Sequence, residues 1–164
     1  MNAAGAIAAS ASVLPPPMAL LAAAAAGRSA GPSDVEFIAI CAACRHSGGI
    51  ARGAELAQCL RARDTATHPG LEALIVGGSV FSFAWNHAWW VPMFQFGPDR
   101  GPLPRPGVAL VLAELEPVFD GWSLALWFTR PHGWLHGQPP LDLLDSDLAQ
   151  VVAAARADRH LARL

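Results

Sequence analysis

The stretch "GPDRGPLPRPG", Gly97 to Gly107, limits the fold more than any other part of the chain. It holds four prolines and three glycines. Proline lacks a backbone donor and clashes with a preceding helical turn, so neither a helix nor a central strand tolerates that density. The stretch is a loop or linker, and ordered structure must form on either side of it. Before it, short helical patterns give way to an alternation of period two. After it, the apolar spacing is helical throughout.

Upstream, Asp34 is a plausible N-cap for "VEFIAICAACRH", a short buried helix that Ser47-Gly48-Gly49 breaks. "IARGAELAQCLRAR", Ile50 to Arg63, has an apolar stripe of Ala54, Leu56, Ala57 and Leu60, with Arg52, Arg61 and Arg63 outside it. His68-Pro69-Gly70 makes a turn, and Leu71 to Gly78 a third short helix closed by glycines. Phe81, Phe83 and Trp85 then alternate with Ser82 and Ala84, the mark of a half-buried strand. Asn86-His87 turns the chain, and Trp89 to Phe96 returns as a second strand. Pro92 places that strand at an edge or delays its start.

Downstream, Val108, Val111, Leu112, Leu115, Val118 and Phe119 follow helical spacing, with Pro117 ending the helix early or opening a new turn. Gly121 to Arg130 is another helix, stopped by Pro131, in which Trp127 is expected as a buried anchor. Ser146 caps a last helix with a stripe of Leu148, Val151, Val152 and Ala155. The class is α+β and mostly helical: short helices, one β-hairpin, then a C-terminal helical bundle. Residues 34–97 form a helix-turn-helix-like segment with the hairpin, and 106–164 the helical bundle.

The chain of 164 residues suits one domain, or one domain with a tail, and can bury a real core. Its apolar fraction of 53%, with six Trp and seven Phe, belongs to a folded protein. Residues 1–33 differ: they are Ala-rich, carry Pro15-Pro16-Pro17, and read as a disordered tail. No basic residue precedes Arg28, so the start lacks the form of a secretory signal. The apolar run Met18 to Ala26 falls far short of the roughly 20 residues a bilayer span needs. No membrane partner is expected, and three cysteines make no disulfide framework, which points to a reducing cytoplasm.

The residues offer little catalytic chemistry. Cys41 and Cys44 with His46 lack the second ligand pair of a structural zinc site, and two cysteines three apart in an apolar helix read as small core residues. His132 and His136 alternate with Gly133 and Gly137, which suits a turn better than a helical metal face. No phosphate loop and no nucleophile elbow is present. The expectation is a non-enzymatic protein without metal or cofactor.

A net charge of −2 argues against strong non-specific binding of nucleic acid. The aromatic run Phe81 to Phe96 contains no Lys or Arg, so core packing explains it better than base stacking. Short helices before a hairpin are nevertheless the parts of a winged helix-turn-helix, and Arg52, Arg61 and Arg63 could contact phosphates. The would-be recognition helix Leu71 to Gly78 carries no base-reading side chain beyond Glu72. A DNA-binding regulator is thus the second reading.

The first reading comes from a resemblance. "FQF" at Phe94 to Phe96, and then Leu112 to Arg159, resemble the toxin-binding domain of Xre/MbcA/ParS-type antitoxins. The pattern rests on Trp127-Phe128, Pro131, Leu135 with Gly137, Pro139-Pro140, and Leu143-Leu144. About a third of the chain carries it strongly. The resemblance implies an antitoxin-like protein whose partner is a RES-domain toxin that consumes NAD, with the NAD chemistry on the toxin. It implies a partner-binding set of Trp134, Leu135, Pro140, Arg156, Asp158 and Arg159. A family member normally has a recognisable helix-turn-helix, of which this chain has a degenerate form, and a homodimer is compatible with the same reading.

Overall fold

The computed structural model describes residues 32–63, 69–97 and 103–164. The tail expected over 1–33 lies outside them except for Pro32 and Ser33, as do His68 and residues 98–102 of the proline-rich loop.

Helix α1 (Asp34–Cys44) is capped by Ser33, one residue earlier than expected. The Ser33 hydroxyl accepts from the Glu36 amide at 3.3 Å and donates to the Glu36 carboxylate at 3.1 Å, a reciprocal arrangement that satisfies a free helix-end donor. Phe37, Ile40 and Cys44 form its buried face. A short 3-10 turn, Arg45–Ser47, and two left-handed glycines, Gly48 and Gly49, then reverse the chain.

Here the structure departs from the sequence reading. Ile50–Arg52 is not the start of a helix but strand β1. Helix α2 begins at Gly53 and runs to Arg63. The position of the switch has a steric cause. A Cβ on Gly53 would overlap the Trp89 ring, so glycine lets the indole lie against the helix start. Helix α3 (Leu71–Val76) buries Leu71 and Leu74 and ends at Gly77.

Strands β2 (Phe83–Trp85) and β3 (Ala88–Pro92) form the expected hairpin. Phe83 faces Trp90 and Trp85 faces Ala88. Both turn residues, Asn86 and His87, have positive φ, the conformation two-residue hairpin turns require. The sheet has three antiparallel strands in the order β1-β3-β2. β3 is therefore central and not an edge. It accommodates Pro92 by ending there, and Met93–Gln95 continues as a 3-10 turn instead of strand.

The buried Gln95 side chain substitutes for a further strand. Its Oε1 accepts from the Phe81 amide at 2.7 Å, and its Nε2 donates to the carbonyls of Phe81 at 2.9 Å and Pro92 at 3.0 Å. Phe81 itself stacks on Phe128, with Phe94 packed against both.

The C-terminal part holds α4 (Pro106–Leu115), α5 (Gly121–Thr129), a 3-10 turn at Gly133–Leu135, α6 (Pro140–Leu143) and α7 (Leu148–Leu161). Asp120 caps α5 by accepting from the Ser123 amide at 2.8 Å. Asp147, and not Ser146, caps α7, accepting from the Gln150 amide at 3.2 Å. Arg130 leaves the helix in extended backbone, as the residue before a proline must. α4 and α7 form the most extensive helix pair. They approach closely because Gly107 leaves room for the Leu148 side chain.

One main core joins the two sides of the proline-rich loop. Phe37, Ile40, Phe81, Phe83 and Phe94 share it with Leu112, Leu124, Trp127, Phe128, Leu135 and Val151. A smaller cluster, Ala57, Leu71, Leu74, Val80, Val91 and Phe96, fills the space between α2, α3 and the sheet. An ion pair across the main core boundary, Arg130 to Glu36 at 2.6 Å, ties α5 to α1. Burial raises the Glu36 carboxyl, but hydrogen bonds from Arg130 and Ser33 outweigh it and hold the group below its ordinary value. Among the described residues no helix is long and apolar enough to cross a membrane.

Candidate functional site: the Trp134 turn

Pro131 ends α5, and the chain must then reach α6 within a few residues. It does so in a turn closed by its own backbone. The His132 amide donates to the Gln138 carbonyl at 3.1 Å, and Leu135 and Gly137 both donate to the His132 carbonyl, at 3.1 and 3.0 Å. Gln138 donates to Leu135 at 3.0 Å. His136 and Gly137 take left-handed backbone to make this possible.

Side chains alternate sharply around the turn. Leu135 is fully buried and Pro140 is buried, whereas Trp134, next to Leu135, is 55% exposed. Exposing a Trp forgoes much of the free energy its burial offers, because aromatic side chains carry the largest apolar areas. The turn faces α7, against which it packs.

Beneath the turn lies a polar constellation in the core. Trp127 is 2% exposed, His132 4% and Asp158 6%. The Asp158 Oδ2 accepts from the Trp127 indole at 2.7 Å and lies 2.7 Å from His132 Nε2. The imidazole and the carboxyl group share one hydrogen bond there. His132 Nδ1 is buried without a hydrogen-bond partner. One carboxylate oxygen thus joins α5, the turn and α7.

The partner-binding set read from the sequence therefore divides. Trp134 is at the surface. Leu135, Pro140 and Asp158 are interior, so their side chains are not part of the surface that Trp134 presents. Arg156 and Arg159 reach the surface of α7 but are not free. Arg156 Nε donates to Glu114 Oε1 at 2.9 Å, and Arg159 to Oε2 at 2.8 Å. These two hydrogen bonds hold the Glu114 carboxyl below its ordinary value and clamp α7 onto α4. His132, read from the sequence as a turn residue, is in the turn but also belongs to the core.

The residues considered for DNA are dispersed in role. Arg52 lies over the Trp90 ring, 5.3 Å from its centroid, in a cation–π contact. Arg61 is exposed on α2, and the Arg63 side chain lies outside the described residues. The outer face of α3 presents Glu72, Ala73 and Val76, and Val76 is 89% exposed.

Among the described residues no group of three or more His, Cys, Asp and Glu is placed to hold a metal. Cys44 is buried, and burial, with Cys41 adding to it, pushes its thiol up to about 12. Cys59 is exposed. The thiolate is the reactive form. In the folded protein at about pH 8, Cys59 should react with a disulfide reagent first and Cys44 only after denaturant is added. Mass mapping of the labelled peptides checks this, and early modification of Cys44 would contradict its burial.

No protein-family model, no curated protein and no solved structure matches this chain.

Proposed function

We propose that this protein is an antitoxin-type binding module that neutralises a RES-domain, NAD-consuming toxin by docking through the Trp134 turn. The single observation that carries the reading is an exposed Trp set in a turn that four backbone hydrogen bonds close, next to the buried Leu135. Binding hot spots are enriched in Trp, and a shape fixed before binding saves the ordering cost of association. The residues behind the antitoxin resemblance support it. Trp127, Phe128, Leu135, Pro140 and Leu144 are all buried, so the motif coincides with the frame of the turn. Arg156 and Arg159 lie on the helix that backs the turn and are the cationic part of the same docking surface.

The DNA-binding alternative has one favourable observation, the order of helix, strand, two helices and hairpin over 34–92. Against it, α3 is six residues long and turns an acidic and apolar face outward. Base reading needs donors and acceptors, of which this face offers only the Glu72 carboxylate.

Co-expression with a RES-domain toxin tests the proposal. Trp134→Ala should weaken the complex by about 30-fold or more, a hot-spot effect of about 2 kcal/mol. It should leave the unfolding midpoint nearly unchanged, because exposed substitutions shift stability by about 0.5 kcal/mol or less. Restored NAD consumption in the presence of the variant is the activity readout. Full inhibition by the variant at stoichiometric amounts would remove Trp134 from the docking surface.

A further inference from the structure

We propose that the hydrogen bond between His132 and Asp158 is a positioning latch that fixes the Trp134 turn in its presenting shape. This rests on the reading of Trp134 as a docking residue.

The argument starts from where each partner sits. Asp158 is on α7, His132 is the first residue of the turn, and the two are 26 positions apart in sequence. Nothing local forces them together. The carboxylate is buried, and a buried charge is tolerated only when hydrogen-bonded. Its Oδ2 takes two donors, one from the rigid helix α5 through Trp127 and one from the turn through His132. The Trp127 bond fixes Asp158 to the core, and the His132 bond then fixes the turn to Asp158.

The backbone of the turn depends on the same residue. The His132 carbonyl accepts from Leu135 and Gly137, and its amide donates to Gln138. Holding the His132 ring therefore holds three of the four backbone bonds that shape the turn. Among the described residues the ring makes no other hydrogen bond, since Nδ1 has no partner there. Its Nε2 bond is the polar tether, beside the edge contact of the ring with Trp127.

His132 is in this sense a positioning residue. It touches no partner and acts through the turn. A turn so tethered meets a rigid protein surface as a formed shape, whereas an untethered one must be ordered at the moment of binding.

Amide hydrogen exchange on the full chain tests the latch without any toxin, so its result is independent of whether the toxin reading holds. In His132→Leu, the amides of Leu135, Gly137 and Gln138 should exchange about tenfold faster or more relative to those of α4, the size expected for losing a charge-assisted bond. His132→Gln, which retains an N–H donor on a side chain of similar reach, should recover most of the protection. Unchanged exchange in the turn of the leucine variant overturns the proposal. So does an equal rise in the turn and in α4, because that reports general destabilisation. Failure of the glutamine variant to recover any protection also counts against it. If the leucine variant does not fold, the native protein decides. Its turn amides should be protected nearly as well as those of α4, and rapid exchange there would show that no latch exists.

Discussion

Replacing Trp127 with alanine should produce the largest loss of stability of any single aromatic truncation in the C-terminal bundle. Two losses combine. The indole is buried in the main core, where it meets the Phe128 ring edge-on. Truncating a buried Phe or Trp to alanine typically costs about 3–5 kcal/mol, because the cavity left behind collapses only in part. The indole N–H also supports the buried carboxylate of Asp158 at 2.7 Å. Its removal leaves that charge with His132 as its remaining side-chain partner, so the effect belongs at the upper end of the range. Urea unfolding at constant pH should show a much lower midpoint with a similar slope. Trp127→Phe retains most of the volume and loses the donor, so it should fall between. An alanine variant that unfolds near the native midpoint would place the residue at the surface and contradict the register of α5.

The second large effect concerns a residue with no side chain. Gly121 opens α5, and a Cβ there would overlap the Ser82 carbonyl oxygen and press on the Phe83 backbone. Both obstacles are main chain, so no rotamer change relieves them. In an exposed helix interior, alanine is better than glycine by about 1 kcal/mol. Gly121→Ala should reverse that sign and destabilise by about 2–3 kcal/mol, the usual cost of overfilling a packed site. Relief would require α5 to move off β2, where Phe83 and Trp122 meet edge-to-face. Thermal unfolding with near-UV circular dichroism reads both the stability and the aromatic packing. A stabilised variant would mean that α5 and β2 are further apart than described.

The hairpin and most helices were legible because their signals are local. Phe81, Phe83 and Trp85 alternate within five residues, and Asn86-His87 is a local turn. Trp127 could be placed inside from its spacing after Leu124. β1 was hidden for the opposite reason. Ile50–Arg52 becomes strand by pairing with Trp90 to Pro92, far along the chain, and its own residues fit a helix equally well. The same nonlocal pairing made β3 central where Pro92 suggested an edge.

The burial of Asp158 was not legible beside Arg156 and Arg159, which surround it with charge in the sequence. Its burial depends on donors 31 and 26 positions away. A signal did exist. The apolar stripe of α7 runs through Val151, Ala154 and Ala155, and the next position on that face is Asp158. A carboxylate in line with a buried stripe marks an interior hydrogen-bond acceptor. For Arg156 and Arg159, the missing information was Glu114, which is on another helix.

The Gln95 amide beside Phe81 bears on how a sheet this small satisfies its own backbone where the strand pairing stops. A buried backbone N–H or C=O left unpaired costs free energy comparable to a lost hydrogen bond. At Phe81 both groups are already engaged by one side chain. The backbone leading into the hairpin therefore stays satisfied beyond the last strand pair, Phe83 with Trp90. One glutamine thus satisfies both backbone groups of Phe81 and the Pro92 carbonyl in the interior, without adding another strand.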